Sequence, residues 1–325
     1  MELTSVGTPT LWVGFILFVV AMLALDLFVL GGKMAHRVSA REAGAWTIAW
    51  VGLAFTFNAL LWWWLDDTAG REVANTKALE FLTGYLIEKS LSVDNVFVFV
   101  MIFSFFSVPA EYQRRVLLYG VFGAIVLRAV MILLGAVLVM KFHWILYVFG
   151  AFLVLTGIKM LIFADKAADL GENPVLRWMR GHMRITDEYH GERFTIVRDG
   201  MRWFTPLLLV LALIEVSDLI FAVDSIPAIF AITTDPFIVF TSNIFAILGL
   251  RAMFFLLTDL STRFHLLKYG LALVLVFVGT KMLIVDFYKV PIGLALGIVA
   301  LILISSVIAS LVATRNNRHQ DPKAP

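Results

Sequence analysis

Residues Glu88–Phe99 read EKSLSVDNVFVF and place two carboxylates and a lysine inside a long apolar stretch. A second stretch, Glu215–Pro227, reads EVSDLIFAVDSIP and carries three more carboxylates in a similar apolar setting. One Asp, Lys or Arg at the centre of a membrane-spanning helix costs about 2.5–3.5 kcal/mol on the insertion scale. These charges must therefore face one another, water or a bound cation, and they constrain how the surrounding helices are arranged.

The composition of the whole chain indicates a membrane protein. Of its 325 residues, 61% are hydrophobic and 15% are charged, and the mean hydropathy is +0.91. These values exclude a soluble globular protein of this length and favour one all-α polytopic bundle. The absence of cysteine excludes disulfides, iron–sulfur clusters and thiolate metal sites. The first apolar run is long enough to span and has no Lys or Arg before it, so we expect a retained helix rather than a cleaved signal.

The hydropathy pattern predicts about nine transmembrane helices, because a helix needs roughly 20 apolar residues to cross the bilayer core. They lie near residues 10–30, 44–65, 79–106, 116–139, 144–163, 205–231, 237–258, 268–287 and 291–313. The connecting segments on one side, with the C-terminal tail, carry 17 Lys and Arg residues, and those on the other side carry 4. Since basic loops stay in the cytoplasm, the N-terminus is predicted outside and the C-terminus inside.

Two parts of the sequence match each other in the same order. The aligned charged pairs are Glu88 with Asp218, Asp94 with Asp224, Arg128 with Arg251, and Lys159 with Lys281. Each copy covers three predicted helices, an odd number, so the two copies must run in opposite directions through the membrane. Such an inverted-topology repeat is common in secondary transporters, whose substrate site lies near the membrane midplane.

The repeat divides the chain into five predicted segments. They are 1–78, two N-terminal transmembrane helices; 79–163, the first three-helix repeat; 164–204, a cytoplasmic amphipathic loop; 205–290, the second, inverted repeat; and 291–325, the ninth helix and a cytoplasmic tail. The loop 164–204 is basic, and we expect it to lie on the anionic inner leaflet of the membrane. A regulatory or gating role for this loop is the alternative.

The acidic residues of the two charged stretches are predicted to converge on one site. On an unbroken helix, Glu88 and Asp94 differ by about 240° and about 9 Å in rise, so they could not bind one small ion together. Pro227 removes a backbone hydrogen bond to the carbonyl of Val223, next to Asp224. We therefore predict that both charged spans are interrupted and cross antiparallel near mid-membrane, where freed carbonyls join the acids.

The predicted site is a cage of oxygen atoms suited to a divalent cation. Its metal-binding residues are Glu88, Asp94, Asn95, Glu215, Asp218 and Asp224. Carboxylate, amide and carbonyl oxygens suit Mn²⁺, Ca²⁺ or Mg²⁺. None of the histidines falls deep in a predicted span, which argues against a zinc or copper site. The histidines are His36, His143, His182, His190, His265 and His319. The alternative is that the charges pair internally and hold the bundle together, with Arg128 and Arg251 as the cations.

Three strings of the sequence resemble one known family. EKSLSVDNVFVF, EVSDLIFAVDSIPAIFAITTDPF and YGLALVLVFVGTKMLIVDFYK are similar to the TerC family of integral membrane proteins, most of all to its Alx branch. The resemblance runs from the first span to about residue 313. It implies an exporter of Mn²⁺ in the cell inner membrane, within a wider group of transporters built from inverted three-helix repeats. It also implies that the functional acids are Glu88, Asp94, Glu215, Asp218 and Asp224.

The functional expectation is a divalent-cation transporter that works by alternating access, with proton antiport as a natural form of coupling. One alternative is a membrane metallation partner that hands Mn²⁺ to exported or membrane proteins. An intramembrane aspartyl protease would need a Gly-x-Gly-Asp string, which the sequence lacks. We therefore expect no enzymatic activity, no tightly bound cofactor and no nucleic-acid partner, while Mn²⁺ would be the transported substrate. The sequence does not choose between Mn²⁺, Ca²⁺ and Mg²⁺, and it names no protein partner.

Overall fold

The computed structural model of the protein describes residues 5–29, 40–142, 144–162, 173–198, 200–258 and 266–320. Most of these residues are helical. The helices are α1 Pro9–Val29, α2 Ala40–Thr68, α3 Arg71–Phe105, α4 Ala110–Lys141, α5 Ile145–Ile162, α6 Pro174–His182, α7 Pro206–Phe230, α8 Pro236–Leu248, α9 Leu250–Thr258, α10 Leu267–Leu283 and α11 Ile292–Gln320. Two short strands, β1 Thr195–Arg198 and β2 Met201–Phe204, pair antiparallel as a hairpin.

Each predicted span coincides with one of these helices, or with α8 and α9 together. Six helical segments, counting α8 and α9 as one, are long and apolar enough to cross a membrane, and α1 adds a shorter apolar stretch, Pro9–Leu25. Helices α3 and α10 are not among the six. Helix α3 carries four charged residues between positions 80 and 94, and α10 is only 17 residues long. The all-helical membrane class is confirmed, whereas the count of nine spans and their orientation stay predictions.

The predicted interruption of the two charged spans is wrong. Helix α3 runs unbroken for 35 residues and α7 for 25 residues. Pro227 lies in the last turn of α7, where a missing backbone N–H disturbs the end of the helix rather than its middle. A turn instead interrupts the predicted span 237–258, since α8 ends at Leu248 and α9 begins at Leu250.

A lysine of α3 comes close to Gly249 in this turn. A Cβ added at Gly249 would lie 2.6 Å from Nζ of Lys89, so a larger residue would push this side chain away. The Lys89 ammonium donates to the carbonyl oxygen of Ala246 at 3.4 Å, near the C-terminal end of α8. A cation at this end of a helix is stabilised by the partial negative charge of the terminal carbonyls.

Helix α3 is the centre of the bundle. It contacts α2, α7, α8, α9 and α11, while α4 packs on α7 and α8. A two-residue turn joins α2 to α3, and its Gly70 has a φ of 89°, a backbone conformation that favours glycine. The charged stretch of α3 therefore lies among other helices rather than on the outside of the bundle.

Helices α5 and α10 pack backbone to backbone through glycines. A Cβ added at Gly279 of α10 would lie 2.7 Å from the carbonyl oxygen of Gly150 of α5. Seven residues along α5, a Cβ at Gly157 would lie 2.8 Å from the carbonyl oxygen of Ala272. Small residues at such positions let membrane helices approach closely and gain van der Waals contact.

The predicted loop 164–204 contains a small folded unit in its described part, residues 173–198 and 200–204. Helix α6 begins after Asn173, whose side-chain oxygen accepts from the backbone N–H of Val175 at 2.9 Å. Leu176 packs in an apolar cluster with Leu209 of α7. The Tyr189 hydroxyl donates to the carbonyl oxygen of Phe106 at 2.6 Å, and partial burial raises the pKa of this phenol. These contacts fix the unit to the ends of α3 and α7.

Candidate metal-cation site

Arg128 of α4 lies at the centre of the buried charges and is fully buried. Its Nη1 bonds to Oε1 of Glu88 on α3, while its Nη2 and Nε bond to the two carboxylate oxygens of Asp218 on α7, at 2.8 and 3.1 Å. This bidentate contact fits the planar fork of a guanidinium. Because one cation serves two carboxylates, the trio carries a formal charge of −1.

Amide and hydroxyl groups complete the shell around Glu88 and Asp218. Asn243 of α8 donates to Oε2 of Glu88 at 3.0 Å, and Asn95 of α3 donates to Oδ1 of Asp218 at 3.3 Å. The hydroxyl oxygen of Ser225 on α7 accepts from Nη1 of Arg128 at 3.3 Å, and the same nitrogen bonds to Glu88. Burying these charges away from water requires such partners.

A cavity of about 60 Å³ lies beside this network. The carboxylates of Glu88, Asp94 and Asp224 line it, together with Asn95 and Ser225. The remaining lining residues are Leu91, Arg128, Met160, Phe221 and Leu275. Since one water molecule takes about 30 Å³ in the liquid, the space suits one small cation with a water molecule.

The side chain of Asn95 leaves one oxygen free to serve this cavity. Asn95 is 1% exposed, and its Oδ1 has no hydrogen-bond partner among the described residues. A buried amide oxygen without a donor is costly, and a bound cation or water would satisfy it. Such an oxygen is also a common ligand of hard divalent cations.

The two aspartates of the cavity each interact with a lysine from the α5–α10 pair. Asp94 on α3 interacts electrostatically with Lys268 at the start of α10. Asp224 on α7 interacts with Lys159 and with the hydroxyl of Thr156, both on α5. The cavity therefore lies where the α5–α10 pair meets the helices that carry the acids.

The structure brings together most, but not all, of the predicted site residues. Glu88, Asp94, Asn95 and Asp224 line the cavity, and Asp218 joins it through Arg128 and Asn95. Glu215 is not among the lining residues. Its carboxylate packs against Gly123 of α4, and its Oε2 is buried without a hydrogen-bond partner in the described part of the chain.

The acids are close together but are not arranged as a formed metal centre. Within the ranges that the structure describes, no group of three or more Asp, Glu or His side chains is placed to hold one metal ion. Arg128 instead holds two of the acids, since its guanidinium bonds to both Glu88 and Asp218. His182 and His190 lie in the folded unit between α5 and α7, and the side chains of His36, His143, His265 and His319 fall outside the described residues.

Sequence reasoning missed three features of this region. Asn243 on α8 donates to Glu88 on α3, and no charged residue next to Asn243 in the sequence indicates this contact. Met160 lines the cavity, and its position next to the aligned Lys159 was the available signal. A further network at the other end of α3 joins Lys77 and Glu80 at 2.9 Å and Lys77 and Asp235 at 3.4 Å. The Lys77–Glu80 pair could have been recognised from the sequence, because residues three apart on a helix are neighbours. The contact between Lys77 and Asp235 could not, because the two residues lie far apart in the sequence.

Comparison of the sequence with known proteins identifies the family of the chain. The family model described as "Integral membrane protein TerC family" matches residues 73–318. The chain is 57% identical over 321 residues to Alx of Salmonella typhi, covering 99% of each chain, and 57% identical over 317 residues to Alx of Escherichia coli strain K12, covering 98% of each. The names of both relatives describe Alx as a candidate membrane-bound redox modulator.

A third relative carries no functional description. The chain is 51% identical over 321 residues to an uncharacterized membrane protein of Myxococcus xanthus, covering 99% of this chain and 98% of that one. No solved structure matches the chain. Since the family model covers most of the chain and the relatives align over nearly its full length, the protein belongs to the TerC family of integral membrane proteins.

Proposed function

We propose that the protein transports divalent metal cations across the bacterial inner membrane, with Mn²⁺ as the exported substrate. The observation that carries the proposal is the cavity where Glu88, Asp94 and Asp224 meet the free amide oxygen of Asn95. Oxygen atoms of this kind suit Mn²⁺, Ca²⁺ and Mg²⁺. Intramembrane acids mark ion pathways by default, because their cost must be offset by a function.

Arg128 acts in this proposal as the internal cation of the empty state. Its guanidinium neutralises Glu88 and Asp218, and the −1 charge of the trio, together with the cavity aspartates, attracts an incoming cation. When the metal binds, the guanidinium swings away from Glu88, whose Oε atoms then become ligands. Because the cation and the arginine compete for Glu88, metal binding would favour a second arrangement of the site, and a ligand that binds one state better shifts the population toward it.

We also propose that the two halves of the chain form an inverted repeat, with the N-terminus outside and the C-terminus inside. Two reciprocal contacts support it. Asn95 donates a hydrogen bond to Asp218. Ser225, which aligns with Asn95, interacts with Glu88, which aligns with Asp218. A pseudo-two-fold relation between the repeats would produce such an exchange, and it would place the site between them.

The relatives' names mention redox modulation, and the sequence limits how that could work here. The chain has no cysteine, so thiol–disulfide exchange is excluded. A transporter that changes the cell's content of a redox-active metal would modulate redox conditions without a thiol. Such a function agrees with the relatives' names and with the carboxylates that line the cavity. Cation transport is therefore the function that the site supports best.

The test is metal flux into liposomes that contain only the purified protein. Mn²⁺ uptake is measured with and without a pH gradient, for the wild type, for D94N/D224N and for E192Q. Glu192 pairs with Arg115 in an exposed contact at 3.3 Å far from the cavity, so E192Q is the matched control for loss of a carboxylate. We expect flux for the wild type and E192Q and at least a tenfold loss for D94N/D224N, in line with the effect of losing metal-site groups.

The same experiment separates transport from metallation of partner proteins. A chain that only hands Mn²⁺ to another protein gives no net flux when it is alone in the membrane. Equal flux by D94N/D224N and the wild type would contradict the site, while absence of flux from all three would contradict the transport function.

A further inference from the structure

Met160 is the only sulfur-containing residue among the ten described residues that line the cavity. It lies on α5, whereas the acids of the cavity lie on α3 and α7. A methionine on an apolar helix is usually a packing residue, but the contacts of α5 bring this one to a site that contains three carboxylates.

The contacts of α5 fix the face on which Met160 lies. Thr156 and Lys159 of this helix interact with Asp224. Met160 follows Thr156 by four residues, so the two side chains share one face of the helix. Behind them, Gly157 and Gly150 hold α5 against the backbone of α10, which leaves α5 little freedom to rotate. The thioether is therefore held at the cavity by the same packing that brings Thr156 to Asp224.

The chemistry of a thioether distinguishes between divalent cations. Ca²⁺ and Mg²⁺ are hard ions that bind oxygen and gain little from sulfur. Transition-metal ions accept softer ligands, and their affinity for a given site follows a series in which Mn²⁺ is the weakest member. A sulfur atom beside carboxylates therefore penalises Ca²⁺ and Mg²⁺ relative to Mn²⁺, and it favours a soft ion such as Cd²⁺ most of all.

We propose that Met160 is a selectivity residue that favours transition-metal divalent cations over Ca²⁺ and Mg²⁺ at the cavity. The proposal rests on the transport function proposed above and specifies the substrate class of the same site. In this proposal the free Oδ1 of Asn95 is a hard ligand and the thioether of Met160 is the soft one. The oxygen atoms bind any divalent cation, and the sulfur atom makes binding of transition-metal cations stronger than binding of Ca²⁺ and Mg²⁺.

A second methionine of the chain provides the matched control. Met282 of α10 aligns with Met160 in the two sequence copies, but it is buried in an apolar cluster with Leu271 and Val278 and does not line the cavity. Exchange of Met for Leu nearly conserves volume and usually costs less than about 1.5 kcal/mol. M160L and M282L therefore remove the same chemical group at one position inside the site and one outside it.

The experiment measures Mn²⁺ flux by purified full-length protein in liposomes while Ca²⁺ or Cd²⁺ competes. In the wild type and in M282L, we expect Cd²⁺ to inhibit at a lower concentration than Ca²⁺. In M160L the ratio of the Ca²⁺ and Cd²⁺ inhibition constants should fall by about tenfold, the usual effect of one group at a metal site. L275M, which adds a thioether at another residue that lines the cavity, should raise this ratio and gives an answer even if M160L does not fold.

The outcomes distinguish this inference from the function on which it rests. If the wild type moves no Mn²⁺, the transport function itself fails. If the wild type transports Mn²⁺ but M160L and L275M keep the wild-type ratio, Met160 is a packing residue and the selectivity proposal is overturned, while the transport function stands. A shift in M282L as large as that in M160L would also overturn it.

Discussion

Replacing Arg128 by glutamine removes the only cation that directly bridges Glu88 and Asp218 in the described structure. The charge of the trio changes from −1 to −2, with both carboxylates still buried at 0–1% exposure. Removing one partner of a buried ion pair typically costs about 3–5 kcal/mol, because it leaves an uncompensated buried charge. At about 2 °C per kcal/mol for a long chain, the expected fall in Tm is about 6–10 °C.

The control is an arginine in an equally short but exposed pair. Arg71 contacts Asp66 at 2.6 Å, and its side chain is 66% exposed. Exposed pairs contribute about 0–1 kcal/mol, so R71Q should lower Tm by at most about 2 °C. Thermal unfolding of detergent-solubilised protein, followed by the loss of the monodisperse peak in size-exclusion chromatography, measures both variants.

Rescue by charge removal tests the cause. Adding E88Q and D218N to R128Q leaves no buried charge in the trio, so the cost of burying two unpaired carboxylates is removed. We expect the triple variant to recover most of the loss in Tm. If R128Q unfolds no earlier than R71Q, or if the triple variant is less stable than R128Q, the reasoning that Arg128 neutralises two ionised carboxylates is refuted.

Two further predictions concern packing and pH. G279A should destabilise the protein by about 1–3 kcal/mol, because its Cβ would lie 2.7 Å from the Gly150 carbonyl oxygen. The control is G297A on α11, which should cause no loss of stability because nothing lies within 4 Å of the added Cβ. Equal unfolding temperatures of the two variants would contradict the glycine contact. Y189F should lose about 0.5–1.5 kcal/mol at neutral pH, since it removes the hydrogen bond to Phe106. Burial raises the pKa of Tyr189, so its contribution is present below the usual tyrosine pKa of about 10 and is lost as the pH rises past it. The alkaline fall in stability should therefore be shallower in Y189F than in the wild type, and parallel profiles would count against the burial of this phenol.

The sequence alone determined the class of the protein, and it named most of the charged residues that line the cavity of the candidate site. Apolar runs of about 20 residues predict helices without any tertiary information, because every backbone polar group in a bilayer must be satisfied within its own segment. The high cost of charge in such runs singled out Glu88, Asp94, Asp218 and Asp224 for the same local reason. Both inferences depend on properties of one segment at a time.

Only the tertiary structure decided how these groups are used. The sequence predicted broken charged spans, whereas α3 and α7 run unbroken and Arg128 of α4 reaches both carboxylates from a third helix. It gave no sign that Asn243 holds Glu88 from 155 residues away. Such contacts join residues on different helices, and helix packing, which depends on the shapes of two surfaces at once, determines which residues meet.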